Sequence, residues 1–144
     1  MALRTKTFAV EDALLALLLS LDALDGATRE LGIPARRSDR HIWVDGEHDV
    51  AQTYEVSGLV EKHEEIPVSI KVFRRMSVKT YAQVRDAADA DAGAIEEAIG
   101  EDPTLGGLCQ LATVTGLKTA GWWTDDTHRA CGIEMTVNCS ANVR

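Results

Sequence analysis

The sequence predicts a single α+β domain, in which two main helices pack on one face of a mostly antiparallel sheet of four to five strands. An apolar stripe at helical spacing opens the chain, and a second one occupies its middle. Segments that alternate between apolar and polar residues lie before and after the second stripe. This grouping favours an antiparallel sheet with its helices on one side. The chain has 144 residues, the usual size of one domain, which we assign to residues 1–144.

The first helix is predicted from about residue 10 to residue 24. Its leucines recur at spacings of three, four or one and form one apolar stripe. The stripe consists of Leu14, Leu17, Leu18, Leu21 and Leu24. Two carboxylates in the first turn suit the positive end of the helix dipole, and Gly26 provides a C-terminal stop. Leu15 and Leu19 widen the stripe, so they cover either a second packed surface or a neighbouring subunit.

A short strand and a hairpin are predicted next. The short strand, residues 41–44, ends at Asp45-Gly46, which is a turn signal. Residues 53–60 and 66–72 alternate at a period of two, as half-buried strands do. We expect the polar residues 61–65 to connect these two strands as a hairpin loop.

The second helix is predicted to begin near Ser77, a favourable N-cap, and to run towards Gly100. Its apolar residues recur every three or four positions. They are Tyr81, Val84, Ala88, Ala92, Ile95 and Ile99. We expect the acidic face formed by Asp86, Asp89 and Asp91 to be solvated.

The remaining elements follow a turn at residues 102–107. A strand is predicted over residues 110–114, then a loop that contains Trp122 and Trp123, then a closing strand over residues 130–139. One face of the closing strand is apolar. It consists of Cys131, Ile133, Met135, Val137 and Cys139.

The composition limits the possible partners. The chain has 15 basic and 23 acidic residues and a formal charge of −8, which argues against a freestanding nucleic-acid binder and against anionic membrane surfaces. The apolar run at residues 13–19 is shorter than the roughly 20 residues that a membrane span needs, and it does not read as a signal peptide. Three cysteines without a CxxC pair predict reduced structural thiols, and hence a reducing cytoplasm.

No catalytic motif is visible in the sequence. A nucleophile elbow is absent, and Gly106-Gly107 lacks the Lys-Ser/Thr of a P-loop. His41, His48 and His63 lie near or follow the carboxylates of residues 39–49, but none of the usual metal-ligand spacings is present. We therefore predict no enzyme activity, no catalytic residue, no metal and no cofactor.

Two features are candidate interfaces. Arg36, Arg37 and Arg40 form a small basic cluster that contacts DNA or an acidic partner, or else only balances local acids. Trp122 and Trp123 are adjacent, so on an extended chain their rings point in opposite directions and do not fit one core. The two rings either contribute binding energy at an interface or pack over a sheet edge.

The C-terminal half carries a resemblance to a known family. After the second helix, the sequence Glu-Asp-Pro-Thr-Leu-Gly-Gly-Leu at residues 101–108 leads into a weak strand, a loop and a closing alternating strand. This motif and the order of elements along nearly the whole chain resemble the tail terminator proteins of long-tailed, siphovirus-type bacteriophages and gene transfer agents. The arginine cluster and the tryptophan pair are not part of the resemblance.

The resemblance implies an assembly role. Proteins of this family form a hexameric ring on the last ring of the tail tube, stop tube polymerisation and present the surface that joins the head connector. The implied partners are further copies of the chain, the tail tube protein and the head–tail connector (stopper) protein. DNA would pass through the lumen without specific binding, and no membrane is involved. The implied location is the head–tail junction of the virion, with the host cytoplasm as the place of assembly.

Two rival interpretations remain open at the level of sequence. The first is another head–tail connector, such as a head-closure or tail-completion ring. The second is a small α+β enzyme or ligand-binding domain that uses the histidines and carboxylates of residues 39–49. A fold class by itself supplies no function, so the second rival needs a visible site.

Overall fold

A computed structural model describes residues 5–57, 59–123 and 127–143, and it describes side chains there except at 54–57, 59–61 and 122–123. It confirms the α+β class: two helices pack against a mostly antiparallel sheet. The elements in chain order are α1 (Thr7–Ser20), a 3-10 turn (Asp22–Leu24), β1 (Thr28–Leu31), β2 (Arg40–Val44), β3 (Ala51–Ser57), β4 (Leu59–Ser77), α2 (Tyr81–Glu101), β5 (Leu111–Trp123) and β6 (His128–Val143).

The sheet has six strands in the described part of the chain, more than the four to five predicted. Five of them run in the order β1-β2-β4-β6-β5, and β3 pairs with β4. Only the β1–β2 pair is parallel among the described pairings. The additional strand is β1, whose sequence Thr-Arg-Glu-Leu has two charged residues in the middle and no alternation that would reveal it.

Both helices cover the same face of the sheet. Alternate residues of β4 and β6 point to that face and form one apolar core with the helices. The predicted apolar faces of these two strands are therefore confirmed. Their buried members are Ile66, Val68, Ile70, Val72, Cys131, Ile133, Met135, Val137 and Cys139.

The predicted hairpin loop at residues 61–65 is wrong. Residues 61–65 belong to β4, a strand of 19 residues, and β3 pairs with β4 from Ala51–Glu65 to Ser57–Leu59. Likewise, the predicted strand at residues 110–114 extends to Trp123, so that β5 has 13 residues. Neither segment has a clear alternation in the sequence, and both are extended because β3 and β6 pair with them.

The observed limits of both helices differ from the predicted limits by a few residues. α1 begins at Thr7 and ends at Ser20, and the 3-10 turn contains Leu24, the last leucine of the predicted stripe. α2 begins at Tyr81 rather than near Ser77. Its first turn is capped by Gln83, whose side-chain oxygen accepts a hydrogen bond from the backbone N–H of Thr80 at 3.2 Å.

A buried carboxylate fixes the start of α1 on the sheet. Glu64 in β4 is fully buried and accepts three hydrogen bonds of 2.8 Å, from the Lys6 backbone N–H, the Thr5 hydroxyl and the Gln52 amide. Burial alone would raise the pKa of Glu64, but these hydrogen bonds outweigh it and lower the pKa. The ionised carboxylate therefore lies at the N-terminus of α1, where the helix dipole favours negative charge.

All three cysteines are buried and free. Burial raises the pKa of Cys139 to about 12 and also raises the pKa of Cys109. These two thiols are therefore protonated core residues and not activated nucleophiles.

Asp91 corrects the prediction that the acidic face of the second helix is solvated. Its side chain is 5% exposed, and its two carboxylate oxygens lie 2.8 Å from Arg40 Nη2 and 3.0 Å from Arg74 Nη1. Arg40 also donates hydrogen bonds to the backbone oxygens of Ala23 and Asp25. One carboxylate therefore connects α2 to β2 and β4, and through Arg40 to the end of the 3-10 turn.

Asp91→Asn is expected to lower the free energy of unfolding by about 2–3 kcal/mol, because two partly buried arginines lose their charged acceptor. Urea unfolding followed by circular dichroism measures this change. Asp89→Asn is the matched control, since Asp89 is exposed on the same helix. The control is expected to change the free energy by about 0.5 kcal/mol or less. Equal effects of the two substitutions would contradict the role assigned to Asp91.

Candidate interaction face

The face of the sheet opposite the two helices carries the candidate site. No helix covers this face in the described part of the chain, and we call it the open face. The strand register aligns its side chains in rows that run across the sheet. One row consists of His41, Phe73, Gly132 and Ala120. The next row consists of Trp43, Lys71, Glu134 and Lys118.

A shallow cleft of about 270 Å³ lies across these two rows. The cleft exists because Gly132 has no side chain and Ala120 has a short one, so neither fills the space beside Phe73. Six larger side chains line it. They are Arg37, Trp43, Lys71, Phe73, Lys118 and Glu134.

The cleft has an aromatic side. Trp43 and Phe73 are 7% and 6% exposed, and with Ala130 they form a small apolar cluster that is separate from the main core. The ring of His41 meets that of Trp43 edge-on, with 5.6 Å between the centroids. The guanidinium carbon of Arg37 lies 4.5 Å from the centroid of the Phe73 ring, which is a cation–π distance.

The charged side of the cleft has more cations than anions. Lys71 Nζ lies 3.2 Å from a carboxylate oxygen of Asp45, and Glu134 accepts a hydrogen bond of 3.2 Å from the Ser69 hydroxyl. Lys118 is exposed and has no ion pair with any described residue. Three cations therefore face one carboxylate within the cleft, on a protein whose formal charge is −8.

The three candidate arginines lie in different environments. Arg37 lines the cleft, whereas Arg36 is exposed and is not among the lining residues. Arg40 points to the other face of the sheet, where it binds Asp91. The basic cluster of the sequence is therefore divided, and Arg37 is its only member at the cleft.

The tryptophan candidates lie at the end of β5. The backbone of Trp122 pairs with Ala130, and that of Trp123 pairs with Arg129. The side chains of Trp122 and Trp123 are outside the described part of the structure, so their proposed interface role stays a prediction.

Each histidine of the rival metal site lies next to a different carboxylate. His41 Nε2 lies 2.7 Å from Glu30 Oε1, and His41 Nδ1 accepts a hydrogen bond of 2.9 Å from the Ser38 backbone N–H. His48 Nε2 lies 3.5 Å from Glu11 Oε2 beneath α1. Among the described residues, no three His, Cys, Asp or Glu side chains form a group that would hold a metal ion.

Glu65 is a carboxylate on the open face with a strongly lowered pKa. His63, Asn138 and Ser140 donate hydrogen bonds to it, at 2.8, 2.7 and 2.7 Å. These hydrogen bonds lower the pKa of Glu65 from 4.5 to about 2, although partial burial opposes the change. The ionised carboxylate thus links β4 to β6 on the open face.

Glu65 is expected to make stability depend on pH between 4.5 and about 2. Its folded pKa is lower than its unfolded pKa, so its contribution is complete above pH 4.5 and is lost as the pH falls towards 2. Glu65→Gln should flatten this part of the curve of urea midpoint against pH, and the exposed Glu47→Gln should not. Because the Glu65 side chain is 43% exposed, added salt should reduce the difference. An unchanged curve for Glu65→Gln would contradict the assignment.

A second uncovered surface is the outer edge of β5. This strand ends the sheet and has 13 residues, of which Lys118 is the only charged one. Leu111 and Leu117 on it are 51% and 61% exposed. The opposite side of the sheet ends in β1 and β3. A long edge strand with little charge is a template for pairing with another chain unless something covers it.

The aromatic residues of the cleft, together with Lys118 and Glu134, were missed in the sequence. One signal was present: the continuous apolar runs Ile42-Trp43-Val44 and Val72-Phe73 break the alternation. Such a run indicates a strand that is buried on both faces. No signal pointed to Lys118, because the strand that carries it was predicted to end at residue 114.

No family model matches the chain, and no curated protein matches it. It is similar to a chain in a solved structure described as "Virion of native gene transfer agent (GTA) particle". The two are 16% identical, with a TM-score of 0.47, over 92% of this chain and 95% of that chain. Within the described residues, no helix is long and apolar enough to span a membrane.

Proposed function

We propose that this chain is a structural virion protein, without enzymatic activity, that forms a ring on the end of a phage-type tail tube. The ring stops tube polymerisation and presents the surface that joins the tail to the head connector at the head–tail junction. The partners are other copies of the chain, in a hexamer, together with the tail tube protein and the connector. The sequence Glu-Asp-Pro-Thr-Leu-Gly-Gly-Leu and the order of elements supply the family resemblance behind this proposal.

The outer edge of β5 is the observation that carries the proposal. Its 13 residues expose backbone hydrogen-bond donors and acceptors along this edge. One charged side chain, Lys118, opposes pairing with a strand of another chain. The other free edges, β1 and β3, lie on the opposite side of the sheet. When the edge of one copy meets a different edge of the next, the interface is head-to-tail, and such interfaces close into rings if the rotation allows.

The charge of the chain fits a ring through which DNA passes. A formal charge of −8 keeps phosphates from binding to the protein in transit. The metal-dependent rival has no support from the described residues, where no group of metal ligands occurs.

Removal of the protein is expected to produce overlong or uncapped tails, because nothing would stop tube growth. Electron microscopy of particles made with and without the protein measures this, and adding the protein back should restore tail length. Normal tails with detached or empty heads would assign the chain to another head–tail connector instead. Normal infectious particles would contradict both functions.

The double substitution Leu111→Lys and Leu117→Lys is expected to abolish self-association, because it places two further charges on the β5 edge. Light scattering should then give the mass of one 15.6 kDa chain instead of a ring of about six. Phe8→Lys is the matched control, since Phe8 is a 70% exposed apolar residue on α1. An assembly that survives the double substitution would show that the β5 edge is not the interface.

A further inference from the structure

We propose that the cleft on the open face is a docking site for an acidic segment of a partner protein, with a carboxylate next to an apolar side chain. The preference of the cleft for an apolar anion rests on its own residues. The identification of the partner as a neighbouring protein in the particle rests on the proposed function.

The charges of the cleft favour an anion. Arg37 and Lys118 have no ion pair among the described residues, and Lys71 is paired only with Asp45 at the side of the cleft. Glu134, the one carboxylate of the cleft, lies in the same row as both lysines and accepts a hydrogen bond from Ser69. A partner carboxylate would therefore meet a net positive surface on an acidic protein.

The aromatic side of the cleft favours an apolar group next to that anion. Stacking on Phe73 holds the planar guanidinium of Arg37 in place, so that less conformational freedom is lost when it binds a carboxylate in bidentate geometry. Trp43 and Phe73 form the apolar wall of the cleft, against which the side chain next to the carboxylate would pack.

Other occupants fit less well. A cofactor usually occupies a cleft of roughly 300–1,000 Å³ that encloses most of its surface, whereas this one is smaller and shallow. A DNA backbone is disfavoured by the formal charge of −8, because affinity for DNA rests largely on Lys and Arg side chains that neutralise phosphates. A second copy would already pair along the β5 edge in the proposed ring, which leaves the open face for a different chain.

The site can be tested with 8-anilinonaphthalene-1-sulfonate, an apolar anion whose fluorescence rises when it binds. The wild-type protein is expected to bind it, and Arg37→Glu should bind it roughly 25-fold more weakly, because the substitution removes one exposed charge attraction and adds a repulsion of the same size. Lys118→Gln should also weaken binding, and Arg37→Lys should retain part of it. Arg36→Glu is the matched control, since Arg36 is the exposed neighbour outside the cleft, and it should bind like wild type.

Urea unfolding of each variant ensures that the dye reports the folded cleft. Absence of binding to the wild type, or equal binding by Arg37→Glu and Arg36→Glu, would overturn the proposal.

The partner is tested with the same variants in assembling particles. Arg37→Glu is expected to keep the self-association of the wild type in light scattering and to retain normal tail length, yet to yield fewer joined particles than Arg36→Glu. Loss of self-association in Arg37→Glu would identify the occupant as a second copy and overturn the proposal. Equal yields from the two variants would also overturn it. Overlong tails in the absence of the protein test the proposed function separately.

Discussion

The pairing of β4 with its neighbours is the constraint on which the rest of the structure depends. This strand of 19 residues pairs with β6 along one side and with β3 and then β2 along the other. Its register decides which face each residue occupies, because a slip by one residue would exchange the two faces. The alternation from Ile66 to Val72 holds the register, since the opposite register would expose four aliphatic side chains and bury Lys71.

The two faces of this sheet differ in their residues and in what covers them. The helix-covered face contains the main core, together with two carboxylates that are buried because they have specific partners: Glu64 at the start of α1 and Asp91 between two arginines. The open face has a smaller aromatic cluster, beside which the small residues Gly132 and Ala120 leave space. A face with its own apolar cluster, a net positive cleft and no covering helix among the described residues is suited to contact with another protein.

The accuracy of the sequence-based predictions followed the periodicity of each segment. The second helix and the closing strand were predicted to within a few residues, because apolar residues recur there at one clear period. β1 was missed, since the sequence Thr-Arg-Glu-Leu has no period and forms a strand only by pairing with β2. Residues 61–65 and 115–123 were predicted as loops for the same reason. They are extended because β3 and β6 supply their hydrogen-bond partners, and such pairings connect residues far apart in sequence.

For the candidate site, the sequence by itself determined the residue types and the sheet face on which some of them lie. It did not determine which side chains lie next to each other. It identified the α+β class, the two apolar stripes, the buried cysteines and the basic cluster of Arg36, Arg37 and Arg40. Only the tertiary structure decided that Arg37 stacks on Phe73 while Arg40 binds Asp91 on the other side of the sheet. The physical reason is that local periodicity reports which side of an element is apolar, whereas a cleft depends on strand order and register, which long-range pairing sets.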